Sequence, residues 1–89
     1  MPEPPAVAAD RLRVALFAGM AVAAGRRTLE LPWERGTVAE LRRRLAEACP
    51  EIVPLLANSA VAIGDRYAID GESVAAGDDV AIVPPVSGG

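Results

Sequence analysis

Two segments near the start of the chain, residues 11–17 and 27–31, alternate between apolar and polar positions. Their inward-facing residues are Leu12, Val14, Leu16, Leu29 and Leu31. A period of two is typical of a half-buried β-strand, so each segment is predicted to be a strand. The connecting residues 18–25 are small and uncharged, and we interpret them as a long loop that closes a hairpin.

An apolar stripe with helical spacing follows the hairpin. Its members are Val38, Leu41, Leu45 and Ala48. Positions that recur every three or four residues predict a helix with one buried face. Thr37 and Glu40 form a capping box at the start of this helix, and Pro50 ends it. Before the helix, Pro32 ends the second strand and residues 33–36 predict a turn.

The remaining segments of the chain are short. Residues 52–56 predict an irregular or 3₁₀ turn, residues 61–63 a strand, and residues 67–69 a return strand after the Gly64-Asp65 turn. Residues 80–83 are apolar without interruption, which is typical of a strand buried on both faces in the middle of a sheet.

The order of these elements predicts the topology. If the last strand, residues 80–83, is central, it must pair with strands that come earlier in the chain. The first strand, residues 11–17, is the expected partner. The two would run parallel, and the helix between them supplies the right-handed crossover that such a pairing requires. We therefore predict an α+β fold of the β-grasp, ubiquitin-like type, with a mixed sheet of four to five strands and one main helix packed on one face.

Composition narrows the range of functions. Apolar residues make up 52% of the 89 residues and charged residues 24%, which indicates a single globular domain. The net charge of −3 argues against a nucleic-acid partner. The sequence has no His, no Lys and one cysteine, Cys49, which excludes a Ser–His or Cys–His pair, a Schiff base and a Cys/His zinc site. We expect no bound cofactor, no metal and no independent catalytic machinery, and Cys49 is predicted to pack in the core.

Two features bear on where the protein works. A single cysteine suits the reducing cytoplasm. Residues 14–25 resemble the core of a secretory signal, but they are too short for a membrane span, which needs about 20 apolar residues. Their cleavage would also remove a strand. We therefore predict a cytoplasmic protein with no membrane partner.

The last six residues differ in character from the rest. Pro84 and Pro85 have no N–H to donate, so the sheet ladder must stop there and the chain leaves the domain stiffly. Gly88 and Gly89 have no Cβ and can thread a channel that excludes side chains. We divide the chain into a flexible N-terminal arm (1–10), a β-grasp domain (11–83) and an extended tail (84–89).

The α-carboxylate of Gly89 is the candidate reactive group. It is ionised at neutral pH and is a poor electrophile until a partner converts it to an acyl-adenylate with ATP. A sulfur or amine nucleophile can then take the acyl group. In this interpretation the chain is a carrier, and the enzyme is another protein.

Residues 77–89 look like the C-terminal signature of the MoaD family, the small subunits of molybdopterin synthase. The shared pattern is a Gly-Asp-acidic turn, a hydrophobic strand and Pro-Pro-Val-small-Gly-Gly. Residues 14–18 and 37–41 resemble the first strand and the helix start of that family. The uncharged residues 19–22 depart from the pattern, which often has a charged stretch there.

The resemblance implies a mechanism. An E1-like adenylyltransferase (MoeB-like) would activate Gly89 with ATP, and a sulfur donor enzyme would convert it to a thiocarboxylate. The tail would enter the large subunit (MoaE-like) and deliver sulfur to a cyclic pyranopterin precursor, forming the dithiolene of molybdopterin. The small subunit would itself supply no acid or base. The residues implied for threading are Pro84, Pro85, Val86, Ser87 and Gly88.

Apolar residues near the tail are candidates for partner contact. Phe17 and Val83 are predicted to form a partner-facing patch, because strand alternation places Val83 outside when Ile82 is in the core. The run Arg42-Arg43-Arg44 is interpreted as a solvated helix face, with contact to an acidic groove on the activating enzyme as the alternative.

Other functions remain open on the sequence. The same fold and tail would suit a sulfur carrier for another pathway, such as the thiamine thiazole or a cysteine route. A ubiquitin-like protein modifier or a plain interaction module is also compatible. The Pro84-Pro85 pair favours the molybdopterin pathway, because the relatives in other sulfur pathways usually lack the second proline.

Overall fold

The structure, a computed structural model, describes residues 10–84. Its elements in chain order are β1 (Arg11–Leu16), α1 (Ala18–Ala24), β2 (Thr28–Pro32), β3 (Arg35–Thr37), α2 (Val38–Ala48), a 3₁₀ helix (Pro50–Ile52), α3 (Val53–Leu56), β4 (Ala60–Ile63), β5 (Arg66–Ala68), β6 (Ser73–Ala75) and β7 (Val80–Val83). The predicted arm, apart from its last residue, and the tail after Pro84 lie outside the described residues.

Five strands form one mixed sheet in the order β2-β1-β7-β4-β5. The last strand is central, and it runs parallel to β1 with Val14 opposite Val80 and Leu16 opposite Ile82. β1 and β2 form the predicted antiparallel hairpin, and β4 pairs antiparallel with both β5 and β7. These pairings confirm the predicted β-grasp topology and the parallel contact of the first and last strands.

One face of this sheet and the apolar side of α2 form the core. Its fully buried side chains include Leu12, Val14, Val80, Ile82, Val38, Leu41 and Leu45. The hydroxyl of Thr37 accepts the N–H of Glu40 at 3.2 Å, so the predicted cap starts α2. The helix ends at Ala48, before Pro50, and its predicted buried stripe is confirmed at three positions, Val38, Leu41 and Leu45.

The predicted loop at residues 18–25 is wrong, because most of this segment is helix α1. Ala18 opens the helix with a φ of 51°, and Gly25 ends it with a φ of 74° while its N–H donates to the Ala21 carbonyl at 2.9 Å. Met20 is the fully buried residue of the segment. Alanine is the best helix former, but a helix anchored by one side chain shows no apolar stripe in the sequence.

The predicted turn at residues 33–36 is also partly wrong. Arg35–Thr37 forms β3, which pairs antiparallel with β6, a strand that the sequence pattern does not predict. The indole of Trp33 is buried beneath this small sheet and donates from Nε1 to the Val74 carbonyl at 3.0 Å. Three-residue strands are too short to show a period of two.

Gly36 lies against the Trp33 ring, and we expect Gly36→Ala to lower the free energy of unfolding by about 1–3 kcal/mol. A Cβ at Gly36 would stand 2.9 Å from Trp33 Cζ2, and the indole cannot withdraw without breaking its hydrogen bond to Val74. Gly71→Ala is the matched control, because its Cβ would meet no atom within 4 Å. Urea unfolding followed by far-UV circular dichroism measures both; equal midpoints would contradict the expectation.

Candidate functional site

The position of β7 determines where the tail leaves the domain. β1 and β7 are parallel, so their C-terminal ends lie at the same end of the sheet. Phe17 follows β1 directly, and Val83 and Pro84 stand at the end of β7. Residues 85–89 lie outside the described residues, so the threading roles of Pro85, Val86, Ser87 and Gly88, and the reactive role of Gly89, stay predictions.

The face of the sheet turned away from α2 is apolar at its centre. The register aligns Ala15 of β1, Ala81 of β7 and Ala62 of β4 in one row across three strands. At the end of the sheet where the tail leaves, Val83 is half-buried and Phe17 is 51% exposed. Ile82, the neighbour of Val83, is fully buried, as the alternation predicted.

A depression of about 350 Å³ lies on this face, and we call it the sheet-face depression. Its lining residues are Ala15, Phe17, Ala62, Gly64, Asp65, Arg66, Tyr67, Asp79, Ala81 and Val83. It therefore contains both members of the predicted partner patch. Tyr67, which is 68% exposed, also lines it and was not identified as a site residue from the sequence.

Tyr67 and Asp65 could have been found only through strand register. Ala62 stands opposite Tyr67 in the β4–β5 pair, which brings the aromatic ring onto the same face as Ala81. That pairing depends on the tight turn at residues 64–65. Gly64 has a φ of 66°, the left-handed region that favours glycine, and it forms the turn predicted at Gly64-Asp65.

Two loops form the polar end of the sheet-face depression. The N–H of Gly64 donates to the Asp79 carbonyl at 2.8 Å, which fastens the β4–β5 turn to the loop before β7. In that loop, the side chain of Asp78 accepts the N–H of Ala75 at 2.9 Å, which closes the turn. The side chains of Asp65 and Asp79 are left exposed.

The charge of Arg66 is balanced within the domain. Its guanidinium lies 2.6 Å from the Glu72 carboxylate, which also accepts the N–H of Ile69 at 3.0 Å. The hydrogen bond from Ile69, and then the contact with Arg66, hold the pKa of Glu72 below its ordinary value. The carboxylates of Asp65 and Asp79 therefore give the polar end of the sheet-face depression its negative charge.

The arginine run on α2 has a structural role at two of its three positions. Arg42 donates to the carbonyls of Leu56 and Ser59 at 2.9 and 2.7 Å. Arg44 donates to the Pro32 carbonyl at 2.9 Å, with its guanidinium 5.6 Å from the centre of the Trp33 ring. The interpretation as a solvated face is wrong for Arg42 and holds for Arg43, which is exposed beside Glu40.

Cys49 is not an activated nucleophile. It is buried, as predicted, and burial together with a hydrogen bond from its Sγ to Glu51 raises the pKa of the thiol. A raised pKa disfavours the reactive thiolate. Within the part of the chain that the structure describes, no helix is long and apolar enough to cross a membrane.

Comparison with known proteins places this geometry in a family. The sequence pattern of the ThiS family matches residues 14–89. The molybdopterin synthase sulfur carrier subunit of Dictyostelium discoideum is 30% identical over 84 residues, covering 90% of this chain and 98% of that protein. SAMP1 from Haloferax volcanii is 32% identical with a TM-score of 0.77, over 89% of this chain and 99% of the other. A chain in the complex of subunits 1 and 2 of molybdopterin-converting factor from Helicobacter pylori shares the fold, with 20% identity and a TM-score of 0.64 over 89% of this chain and 99% of that one. The chain therefore belongs to the ThiS family of sulfur carriers.

Proposed function

We propose that this chain carries sulfur for molybdopterin synthesis, with Gly89 as the residue that is loaded and discharged. The observation that carries the proposal is the 30% identity to the sulfur carrier subunit of Dictyostelium discoideum, which extends over 98% of that protein. The exit of Pro84 from the central strand, beside the exposed Phe17, supports it. The site suits a tail that enters a partner while the sheet face rests on the partner's surface.

The proposed chemistry has three steps. An E1-like enzyme joins the Gly89 carboxylate to AMP, with release of pyrophosphate from ATP. A sulfide-level sulfur nucleophile supplied by a donor enzyme then attacks the acyl carbon, displaces AMP and leaves a thiocarboxylate. In the synthase this sulfur attacks a carbon of the pyranopterin precursor and displaces an oxygen substituent from it. Water then cleaves the acyl–sulfur bond, which returns Gly89 to the carboxylate. Two such deliveries make one dithiolene.

The composition of the chain indicates which protein supplies the acids and bases of the reaction. The chain has no His and no Lys, the residues most often used for proton transfer and amine catalysis. The acids and bases of each step would therefore come from the partners. The complex of subunits 1 and 2 of the Helicobacter pylori factor, which contains a chain of this fold, supports a large-subunit partner.

The direct test asks whether Gly89 becomes a thiocarboxylate. The protein is incubated with ATP, an E1-like enzyme and a sulfur donor, treated with a thiol-alkylating reagent and digested with trypsin. Arg66 is the last arginine, so the C-terminal peptide is residues 67–89, which contains no cysteine and no methionine. Alkylation of this peptide therefore reports on the C-terminus alone, and oxidation of methionine cannot imitate the mass of sulfur.

We expect an ATP-dependent adduct on Gly89 that disappears when Gly89 is deleted. Adding the large subunit and the precursor should consume the adduct and produce dithiolene. A thiocarboxylate that forms but transfers no sulfur to the pyranopterin precursor would assign the carrier to another pathway, such as the thiamine thiazole or a cysteine route. The absence of any activation would contradict the carrier proposal itself.

Protein modification is the second candidate, and the 32% identity to SAMP1 favours it, because the same Haloferax volcanii protein is named a small archaeal modifier protein. A modifier would be found in amide linkage to lysines of other proteins. After digestion with trypsin, a target lysine would carry residues 67–89. Such peptides from cells, absent when Gly89 is deleted, would establish modification.

Phe17→Ala is expected to weaken binding to the large subunit about ten- to a hundredfold, the range of an aromatic hot spot. Phe17 is 51% exposed, so its truncation leaves the core intact. Val22→Ala is the control, because Val22 is 82% exposed and does not line the sheet-face depression. Titration calorimetry measures both; equal affinities for Phe17→Ala and Val22→Ala would remove Phe17 from the docking patch.

A further inference from the structure

β2 is an outer strand of the five-stranded sheet, and its inner edge pairs with β1. Two backbone hydrogen bonds fix the alternation of that pairing. The N–H of Leu16 donates to the Arg27 carbonyl at 2.8 Å, and the N–H of Trp33 donates to the Asp10 carbonyl at 3.0 Å. In an antiparallel pair every second residue bonds to the neighbouring strand, so these two bonds determine which backbone groups of β2 face outwards.

Thr28 and Glu30 direct their backbone groups to the outer edge of the sheet. They alternate with Arg27, Leu29 and Leu31, the residues that face β1 in the register of the hairpin. Both are exposed, and in the part of the chain that the structure describes no other group bonds to their backbone N–H or C=O. Two donors and two acceptors therefore remain for another strand.

Other parts of the sheet edges are protected. Pro32 has no N–H to donate, and its carbonyl accepts a hydrogen bond from Arg44 at 2.9 Å. On the opposite edge, β5 spans three residues, and Ile69 after it donates its N–H to the Glu72 carboxylate at 3.0 Å. Proteins commonly protect edge strands in such ways, because open backbone groups recruit other strands. Residues 28–30 are left as an open stretch of edge between the protected positions.

The start of this edge carries positive charge that the domain does not balance. Arg26 and Arg27 are exposed, and within residues 10–84 neither guanidinium takes part in an ion pair or a side-chain hydrogen bond. Glu30, the acidic residue of β2, is held by Arg11 at 3.2 Å and by Arg13 at 3.4 Å. Arg26 and Arg27 are therefore available to carboxylates of another chain, although the net charge of this chain is −3.

We infer that the outer edge of β2 binds an extended acidic segment of a partner protein as an added antiparallel strand. The backbone groups of Thr28 and Glu30 pair with the segment, and carboxylates at its C-terminal end meet Arg26 and Arg27. Charge complementarity selects this occupant over a second copy of the chain, whose own β2 offers Glu30 already held by arginines. The contact is separate from the proposed sulfur transfer, because β1 lies between this edge and β7, the strand that leads into the tail.

The test titrates isotope-labelled full-length protein with a blocked peptide, acetyl-VTVTVDD-amide, and follows the backbone amides by NMR at low salt. We expect the peptide to shift the amide resonances of Thr28 and Glu30 and, at saturation, to slow their hydrogen exchange at least about tenfold, because both N–H groups become hydrogen-bonded. The same peptide with Asn in place of Asp should bind about three- to tenfold more weakly, and about 500 mM salt should remove that difference.

Two N-methylated peptides test the backbone pairing on the unsubstituted protein. One is methylated at its odd-numbered positions and the other at its even-numbered positions. In an antiparallel pair only one of these sets of N–H groups faces β2. Methylation of that set should weaken binding at least about tenfold, whereas methylation of the other set should leave binding unchanged.

Variants of the protein locate the site. Thr28→Pro removes an outward N–H and none of the hydrogen bonds to β1, so it should weaken binding at least about tenfold while the domain stays folded. Thr28→Val is the matched control, because it keeps the N–H and a branched side chain. Arg26→Gln with Arg27→Gln should abolish the preference for the Asp peptide, whereas Arg35→Gln with Arg43→Gln removes the same charge from exposed sites on β3 and α2 and should keep it.

The outcomes separate this inference from the proposed function. Amides of Thr28 and Glu30 that do not respond to millimolar peptide, equal binding of the two methylated peptides, or equal affinities of the Asp and Asn peptides at low salt would overturn the inferred site. Protection of these two amides that grows with protein concentration, without peptide, would overturn it in favour of a second copy. None of these results affects the thiocarboxylate assay, whose failure would count against the carrier proposal and leave the inferred edge contact standing.

Discussion

Gly88→Val is expected to reduce sulfur transfer within molybdopterin synthase at least about a hundredfold while leaving the domain folded. The sequence closes on two glycines after a double proline, a combination that suits passage through a narrow channel. A valine adds a branched Cβ and restricts the backbone, and a reacting group displaced by about 1 Å can lose a hundredfold in rate.

The measurement follows dithiolene formed in a single turnover from chains already loaded as thiocarboxylates. Loading is measured separately on the peptide 67–89, so an effect on the activating enzyme is distinguished from an effect on the synthase. Ser87→Ala is the matched control, because it keeps a small side chain one residue earlier. A loaded Gly88→Val chain that transfers sulfur at the unsubstituted rate would show that the channel does not require glycine there.

The long-range features of the fold could be predicted because the sequence marks them strongly. Residues 80–83 are uninterrupted apolar positions, which favour a central strand, and β7 is central. The predicted burial on both faces is wrong, because Ala81 and Val83 are only half-buried on the outward face. The helix is marked by Thr37 at its cap and by a stripe that ends before Pro50. Once these elements are placed, the handedness rule leaves few arrangements, and the parallel pairing of β1 with β7 follows.

The elements that were missed show little pattern. Helix α1 consists of alanine, glycine, valine and one methionine, and Met20 is its single fully buried side chain. Its first residue, Ala18, adopts a positive φ that no propensity predicts. Strands β3 and β6 are three residues each, and Gly36 makes the first of them look like a turn.

The candidate site was predictable only where a local sequence pattern places its residues. Alternation around Ile82 indicates that Val83 faces outwards, and Phe17 follows β1 directly. The positions of both residues can therefore be predicted from the sequence around them. Asp65 and Tyr67 join them only because the β4–β5 hairpin turns at Gly64 and sets the register. A hairpin register depends on backbone hydrogen bonds that the sequence does not display.

The run Arg42-Arg43-Arg44 shows how three identical residues acquire different roles. Their spacing of one residue places them around the helix at successive angles of about 100°. Arg42 therefore points at the α3–β4 connection, where it donates to the carbonyls of Leu56 and Ser59. These two carbonyls lie in the segment that leads into β4, and β4 is a direct neighbour of β7. Arg42 thus holds α2 against a segment that positions the exit of the tail.

Arg42→Ala is expected to lower the free energy of unfolding by about 2–3 kcal/mol, because the substitution removes two charge-assisted hydrogen bonds. It leaves the partly buried Ser59 carbonyl without this donor, whereas the Leu56 carbonyl keeps the N–H of Ser59 at 3.1 Å. The contact of Arg42 with Asp70 adds little, since the Asp70 side chain is 68% exposed. Arg43→Ala is the matched control one position along the same helix, and its cost should stay below about 0.5 kcal/mol. Urea midpoints at constant m-value measure both variants.

Arg42→Lys separates the shape of the side chain from its charge. One ammonium cannot reproduce the forked geometry that reaches two carbonyls, so its stability should fall between those of the unsubstituted protein and Arg42→Ala. Full stability with lysine would mean that charge alone holds the connection. Equal losses for Arg42→Ala and Arg43→Ala would mean that the two hydrogen bonds contribute nothing in solution. A larger loss of stability for Arg42→Ala than for Arg43→Ala would show that Arg42 has a structural role behind the functional face. A contact between the arginine run 42–44 and an activating enzyme would then rest on Arg43 alone.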